Sequence, residues 1–119
     1  MGGFGSSEKD GYVEALGTNA EWGGICKDSY DINDANVICR MLGFSFAKTA
    51  LKNASSIYGT APSGDSFVLD ELDCKGDEKS VFDCPHNGEW NSNCGEGEIV
   101  GVECCKSQVF FKKTHFFKI

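Results

Sequence analysis

The alternation of apolar and polar residues first becomes regular at Gly11–Leu16, where Tyr12, Glu14 and Leu16 alternate with Val13 and Ala15. A period of two predicts a short strand. The turn-forming residues of "GTNAEWGG" follow, so the pattern predicts a hairpin into "WGGIC". The period then changes. Ala35, Ile38, Cys39 and Leu42 fall at i, i+3, i+4 and i+7, one apolar stripe of a helix over 34–42. Asp31, Asn33 or Asp34 can cap its start, and Gly43 suits the left-handed turn that ends a helix.

Beyond the helix the pattern weakens. Residues 44–66 read as loop, with Ser recurring beside Gly, Asn and Pro, and with some helical character around 45–52. "SFVLDELDC" reads as a strand entering a cysteine, "DEKSVFDC" as one helical turn, and "EIVGVEC" as a second good strand. "PHNGEWNSNCGEG" is a long turn-rich loop. The last segment, 106–119, is basic and aromatic. As a helix it would place Val109, Phe110, Phe116 and Phe117 on one face, the pattern of a membrane-surface segment. The alternative is a tail that packs on the domain. The division expected is a Gly/Ser-rich lead-in over 1–10, one α+β domain over 11–105 and the tail over 106–119, with little sheet and much loop.

Composition sharpens this. A chain of 119 residues with a 40% hydrophobic fraction holds one small globular domain. Seven cysteines in that length, at 26, 39, 74, 84, 94, 104 and 105, point to disulfide staples and an oxidising compartment. Zinc is the rival use of cysteine, but no C-x-x-C occurs and neither His86 nor His115 completes a ligand run. The formal net charge of −7 disfavours nucleic acid and anionic membrane as partners of the domain body. No stretch is long and apolar enough for a membrane span. The opening "MGGFGSSEKD" lacks the layout of a signal peptide, so with a disulfide framework the chain reads as a piece of a secreted precursor.

Taken in order, "GYVEAL", "EWGGIC", "DANVICRMLGF", "LDELDCKGDEKSVFDCPHNGEW", "NSNCGEGE" and "GVEC" resemble the scavenger receptor cysteine-rich (SRCR) domain from about Gly11 to Cys104. The most specific part is Trp22-Gly23-x-x-Cys26 followed by Asp34-Ala35-x-x-x-Cys39-Arg40-x-Leu42-Gly43. Asp10 precedes Gly11 and Phe44 follows Gly43, where an eight-cysteine group of that family has cysteines, so the resemblance is to the six-cysteine group. It implies a small curved antiparallel β-sheet cradling one main α-helix, loop-rich and stapled by Cys26–Cys94, Cys39–Cys104 and Cys74–Cys84. It also implies that Cys105 is the odd thiol, a candidate for linkage to a second chain.

The resemblance further implies a binding module rather than an enzyme, in a secreted protein or an ectodomain. Its ligands would be extracellular proteins or microbial-surface polyanions. Family members hold divalent cations through clustered carboxylates, and Ca²⁺ takes about six to eight hard oxygen ligands. Carried across residue by residue, the favoured cluster is Asp70, Glu71 and Asn93. A weaker one is Asp28 with Glu98, where Lys27 stands in place of an acid. Tyr12 stands where the family usually has Arg, and Arg40 is the one arginine, so a basic binding patch would rest on Lys48 and Lys52. Trp22 is expected beside the first bridge. Trp90 is either a core cap or a recognition aromatic. The segment 48–66 is longer than usual for the family. It contains the glycosylation sequon Asn53-Ala54-Ser55. No Ser- or Cys-based triad accompanies His86, and no organic cofactor is suggested. The rival expectation is a non-recognising accessory or spacer domain of a larger secreted protease or oxidase.

Overall fold

The structure is a computed structural model, and it describes residues 9–59, 61–62, 66–95, 97–105 and 116–119. Six strands form one sheet: β1 (Lys9–Leu16), β2 (Trp22–Ile25), β3 (Phe46–Leu51), β4 (Phe67–Leu69), β5 (Gly101–Cys105) and β6 (Phe116–Lys118). The helix α1 (Ile32–Met41) packs on one side, and a short helix α2 (Ser55–Tyr58) lies between β3 and β4. The order across the sheet is β3-β5-β1-β2-β4, with β6 beside β1. The pairings β1–β2, β1–β5 and β3–β5 are antiparallel, while β2–β4 and β1–β6 are parallel. The fold is therefore α+β as expected, and its sheet is mixed.

The alternation in β1 sorts two cores. Val13 and Ala15 enter the main cluster with Tyr30, Ala35, Ile38 and Leu69 under α1. Tyr12 faces the other way, toward a smaller cluster of Cys26, Ala54, Ala61, Phe67 and Ile99. Hairpin pairing holds Leu16 opposite Trp22. Close packing across β2 demands glycine: a Cβ on Gly23 would lie 2.7 Å from the Trp90 ring.

The helix forms where the apolar stripe places it. Asp31 is its cap, Oδ1 accepting from the N–H groups of Asn33 at 3.0 Å and Asp34 at 3.2 Å. Asp34 Oδ2 accepts the Asp31 N–H in return at 2.8 Å, a reciprocal box that satisfies donors the helix start leaves over. Gly43, with φ of 94°, ends the helix, and Phe44 N–H donates back to Cys39 C=O at 2.9 Å. The expected stripe is buried at Ala35, Ile38 and Cys39, joined by Val37, with Leu42 half-buried.

Three bridges staple these parts: Cys26–Cys94, Cys39–Cys104 and Cys74–Cys84. That is the pairing the family resemblance implies. The first two close loops of 68 and 65 residues, where a link constrains the unfolded chain most, about 4 kcal/mol each. Cys105 stands outside these bridges, half-buried at the end of β5 opposite Phe46.

Two expectations need correction. Residues 46–51 are a strand, not helical: β3 pairs along β5 while Ala47 buries toward α1. A register shift between Ala47 and Thr49 breaks the period of two and hides the strand in the sequence. Phe116 and Phe117 do not share a helical face, because β6 is extended beside Tyr12–Glu14. Phe117 is buried with its ring 6.4 Å from that of Phe44, centroid to centroid. The rest of the proposed membrane-surface face, Val109 and Phe110, lies outside the described residues. No helix among the described residues is long and apolar enough to cross a membrane.

Candidate functional site

The parallel pairing of β2 with β4 builds the site. Cys26 N–H donates to Leu69 C=O at 2.9 Å, so the residues leaving both strands run side by side. Asp28 follows one strand, Asp70 and Glu71 the other. One carboxylate oxygen from each of the three lies within 4.8 Å of the other two. Asp70 is buried, and its two oxygens accept the N–H groups of Glu71 at 2.8 Å and Asn93 at 3.4 Å. Its backbone also accepts the N–H of Asn87 at 3.0 Å, which ties in the long loop.

Glu71 is exposed with φ of 58°, and it accepts the Ser29 hydroxyl at 2.8 Å. Ser29 itself has φ of 66°. Two non-glycine residues in the left-handed region, bonded to each other across the site, hold the backbone where side-chain sterics disfavour it. That geometry turns the Glu71 carboxylate toward Asp28 and Asp70.

Lys27 supplies the positive charge at the neighbouring position. Its ammonium lies 3.7 Å from Asp28 and 3.5 Å from Glu98. The Glu98 carboxyl is held below the usual carboxylate range, first by the hydrogen bond from Gly95 N–H at 2.7 Å, with Lys27 adding to it.

The two carboxylate sets expected from sequence thus meet through Asp28. Asp28 lies with Asp70 and Glu71, and it also shares Lys27 with Glu98, which accepts Gly95 N–H. Asn93 meets Asp70 through its backbone N–H. Ser29 was not anticipated; its only sequence signal is that it follows Asp28. Three close carboxylate oxygens form a donor set for a hard divalent cation. They do not suit zinc through sulfur, because the cysteines near such groups are in disulfides.

The other candidate residues lie elsewhere. Trp90 rests against the main core, its φ is 63°, and its ring N–H donates to Asn19 at 3.2 Å. Trp22 opens β2, 36% exposed, with the Lys118 ammonium 4.7 Å from its ring centroid. Lys48 is exposed and lies 3.9 Å from Glu103, and Lys52 is exposed at the far end of β3. Asn53 is exposed just before α2.

Buried acid also occurs away from the cluster. Asp34 Oδ1 accepts Cys74 N–H at 2.7 Å, joining α1 to the Cys74–Cys84 loop. Burial pushes its pKa up to about 7, against the two backbone N–H groups that pull it down.

Residues 4–105 match the family model for the scavenger receptor cysteine-rich domain. The chain is 48% identical over 86 residues to the macrophage receptor MARCO of Mus musculus, covering 72% of this chain. It is 38% identical over 109 residues to lysyl oxidase homolog 3A of Danio rerio, covering 92% of this chain. It spans only 15% and 14% of the length of those two proteins. The crystal structure of the dimeric form of the SRCR domain of mouse MARCO is similar, with a TM-score of 0.70 and 42% identity. That match covers 82% of this chain and 87% of the other.

Proposed function

The chain belongs to the scavenger receptor cysteine-rich family, and from that premise we propose that it is an extracellular recognition module of the six-cysteine group that binds anionic ligands through cations. The observation that carries this is the meeting of Asp28, Asp70 and Glu71 within 4.8 Å. Three like charges at that distance repel unless a cation joins them. Ca²⁺ satisfied only in part by the protein keeps coordination positions for a ligand carboxylate, sulfate or phosphate. Lys27 adds a second, tethered positive charge beside Asp28. An acidic domain with a net charge of −7 thereby presents a local positive site to a polyanion. The ligands are microbial-surface polyanions or extracellular proteins with acidic faces. Three disulfides support the extracellular placement.

A binding screen on glycan and protein arrays tests this. Sulfated or carboxylated ligands are expected to be retained at millimolar Ca²⁺ and to be released by a chelator. Retention that is indifferent to both chelator and ligand charge would refute the reading. A second reading, an accessory domain of a larger secreted oxidase or protease, draws on the similarity to a lysyl oxidase homolog. It predicts that no ligand is retained under either condition.

A further inference from the structure

Asn53-Ala54-Ser55 is the sole Asn-x-Ser/Thr run in the 119 residues. Its surroundings divide into an anchored side and an open one. Ala54 is fully buried, and its N–H donates to Ile99 C=O at 3.0 Å. Tyr58, four residues on, donates its hydroxyl to Asp10 of β1 and packs edge-on against Tyr12 at 6.4 Å between centroids. Residues 54 and 58 therefore fix α2 to the sheet. Asn53, Ser56 and Ile57 are left exposed. Asn53 is drawn into the first turn, since its carbonyl accepts the Ser56 N–H at 3.1 Å and the Ser56 hydroxyl at 2.7 Å. Ile57 is 58% exposed, more than Leu16, Trp22, Ile32 or Phe46. One exposed aliphatic residue is ordinary. Here it sits on the open side of the turn that also presents the sequon.

We propose that Asn53 carries an N-linked glycan whose first sugar lies over Ile57. The inference rests on the extracellular placement above and on nothing about the cation or the ligand. The disulfides mark the secretory compartment in which such glycans are added. The co-reactant is a lipid-linked pyrophosphate oligosaccharide. Asn53 Nδ2 forms a bond to the sugar anomeric carbon, the bond from that carbon to the pyrophosphate oxygen breaks, and the lipid pyrophosphate leaves with the electron pair. The amide proton passes to a base of the transferase, and nothing is oxidised or reduced. The fold accepts the product because Asn53 is exposed, while the neighbouring Ala54 N–H is held by Ile99 C=O. The apolar face of the sugar then covers aliphatic surface at Ile57 that water otherwise wets.

The chain is to be secreted from animal cells behind an added leader and mapped by mass spectrometry. A glycan on the Asn53 peptide is expected, with conversion of Asn53 to Asp by peptide N-glycosidase. N53Q and S55A are expected to lose it and S55T to keep it. Hydroxyl-radical labelling of Ile57 should rise in N53Q, because the side chain is exposed once the sugar is absent. Unmodified Asn53 in the secreted wild-type protein would overturn the modification. A glycan at Asn53 with Ile57 labelled equally in both proteins would overturn its placement.

Discussion

Asp31 and Asp34 at the head of α1, and Asp28, Asp70 and Glu71 beyond β2 and β4, are both tight acidic groups, but the chain answers them differently. Asp34 is enclosed, and each of its oxygens accepts a backbone N–H, one from Asp31 and one from Cys74. Asp31 returns the favour to the helix start. In the other group, Asp70 is also anchored by backbone donors, but Glu71 reaches it from a left-handed backbone and is exposed. The first group uses carboxylates to complete hydrogen bonds that the fold would otherwise leave open. The second gathers negative charge beyond what its donors consume. Proximity of acids alone does not separate the two; enclosure does, since Asp34 is buried with both oxygens met by backbone N–H groups while Glu71 is exposed and accepts one side-chain hydroxyl.

The largest effect should come from the framework that both groups hang on. Replacing Cys39 and Cys104 together by Ala is expected to lower the unfolding free energy by about 4 kcal/mol in urea. A loss below about 1 kcal/mol would show that the bridge adds little to the packing around it.

Asp34→Ala comes next, with a loss of about 3 kcal/mol, because the N–H groups of Asp31 and Cys74 would be left buried and unmet. The same residue predicts a pH dependence. Its folded pKa of about 7 lies above the ordinary carboxylate value of 3.8. The folded state therefore binds the proton more tightly between those values. The Asp34 contribution is full below about pH 4 and is lost as pH rises through about 7, by up to about 1.4 kcal/mol per unit. Urea titrations across that window should show the slope in the wild type and a flatter profile in Asp34→Asn.

Smaller again is the exchange of the tethered cation for an acid. Lys27→Asp is expected to tighten Ca²⁺ binding by about tenfold, since an ammonium beside Asp28 is traded for a further oxygen ligand. Unchanged affinity in calorimetry would separate Lys27 from the cluster. The smallest effect is on stability at the cluster itself. Glu71→Gln without added metal should change the unfolding free energy by less than about 1 kcal/mol, because Glu71 is exposed and removing it relieves like charge.

The sequence disclosed the parts whose signal is local. The period of β1, the stripe of α1, the capping acids and Gly43 all depend on neighbours within a few positions. The disulfide pairing was reachable only through the resemblance. What stayed hidden depends on contacts between distant segments. β3 lost its period to a register shift, and β6 carries too few residues to show one. Asp28 was separated from Asp70 and Glu71 because nothing local says that β2 and β4 run parallel. The Lys118 ammonium over Trp22 was hidden for a similar reason, because it arrives from the last strand.

The claim that most needs a direct test is that the second acidic group holds a cation. A Ca²⁺ titration followed by amide NMR does so. Shifts are expected at Asp28, Ser29, Asp70 and Glu71, saturating at roughly 0.1–1 mM, the range of extracellular sites. They should vanish when Asp28→Asn and Glu71→Gln are combined, while the amides of Asp34 and Cys74 stay still throughout. No shift by about 10 mM, or the same shifts in the double variant, would contradict it.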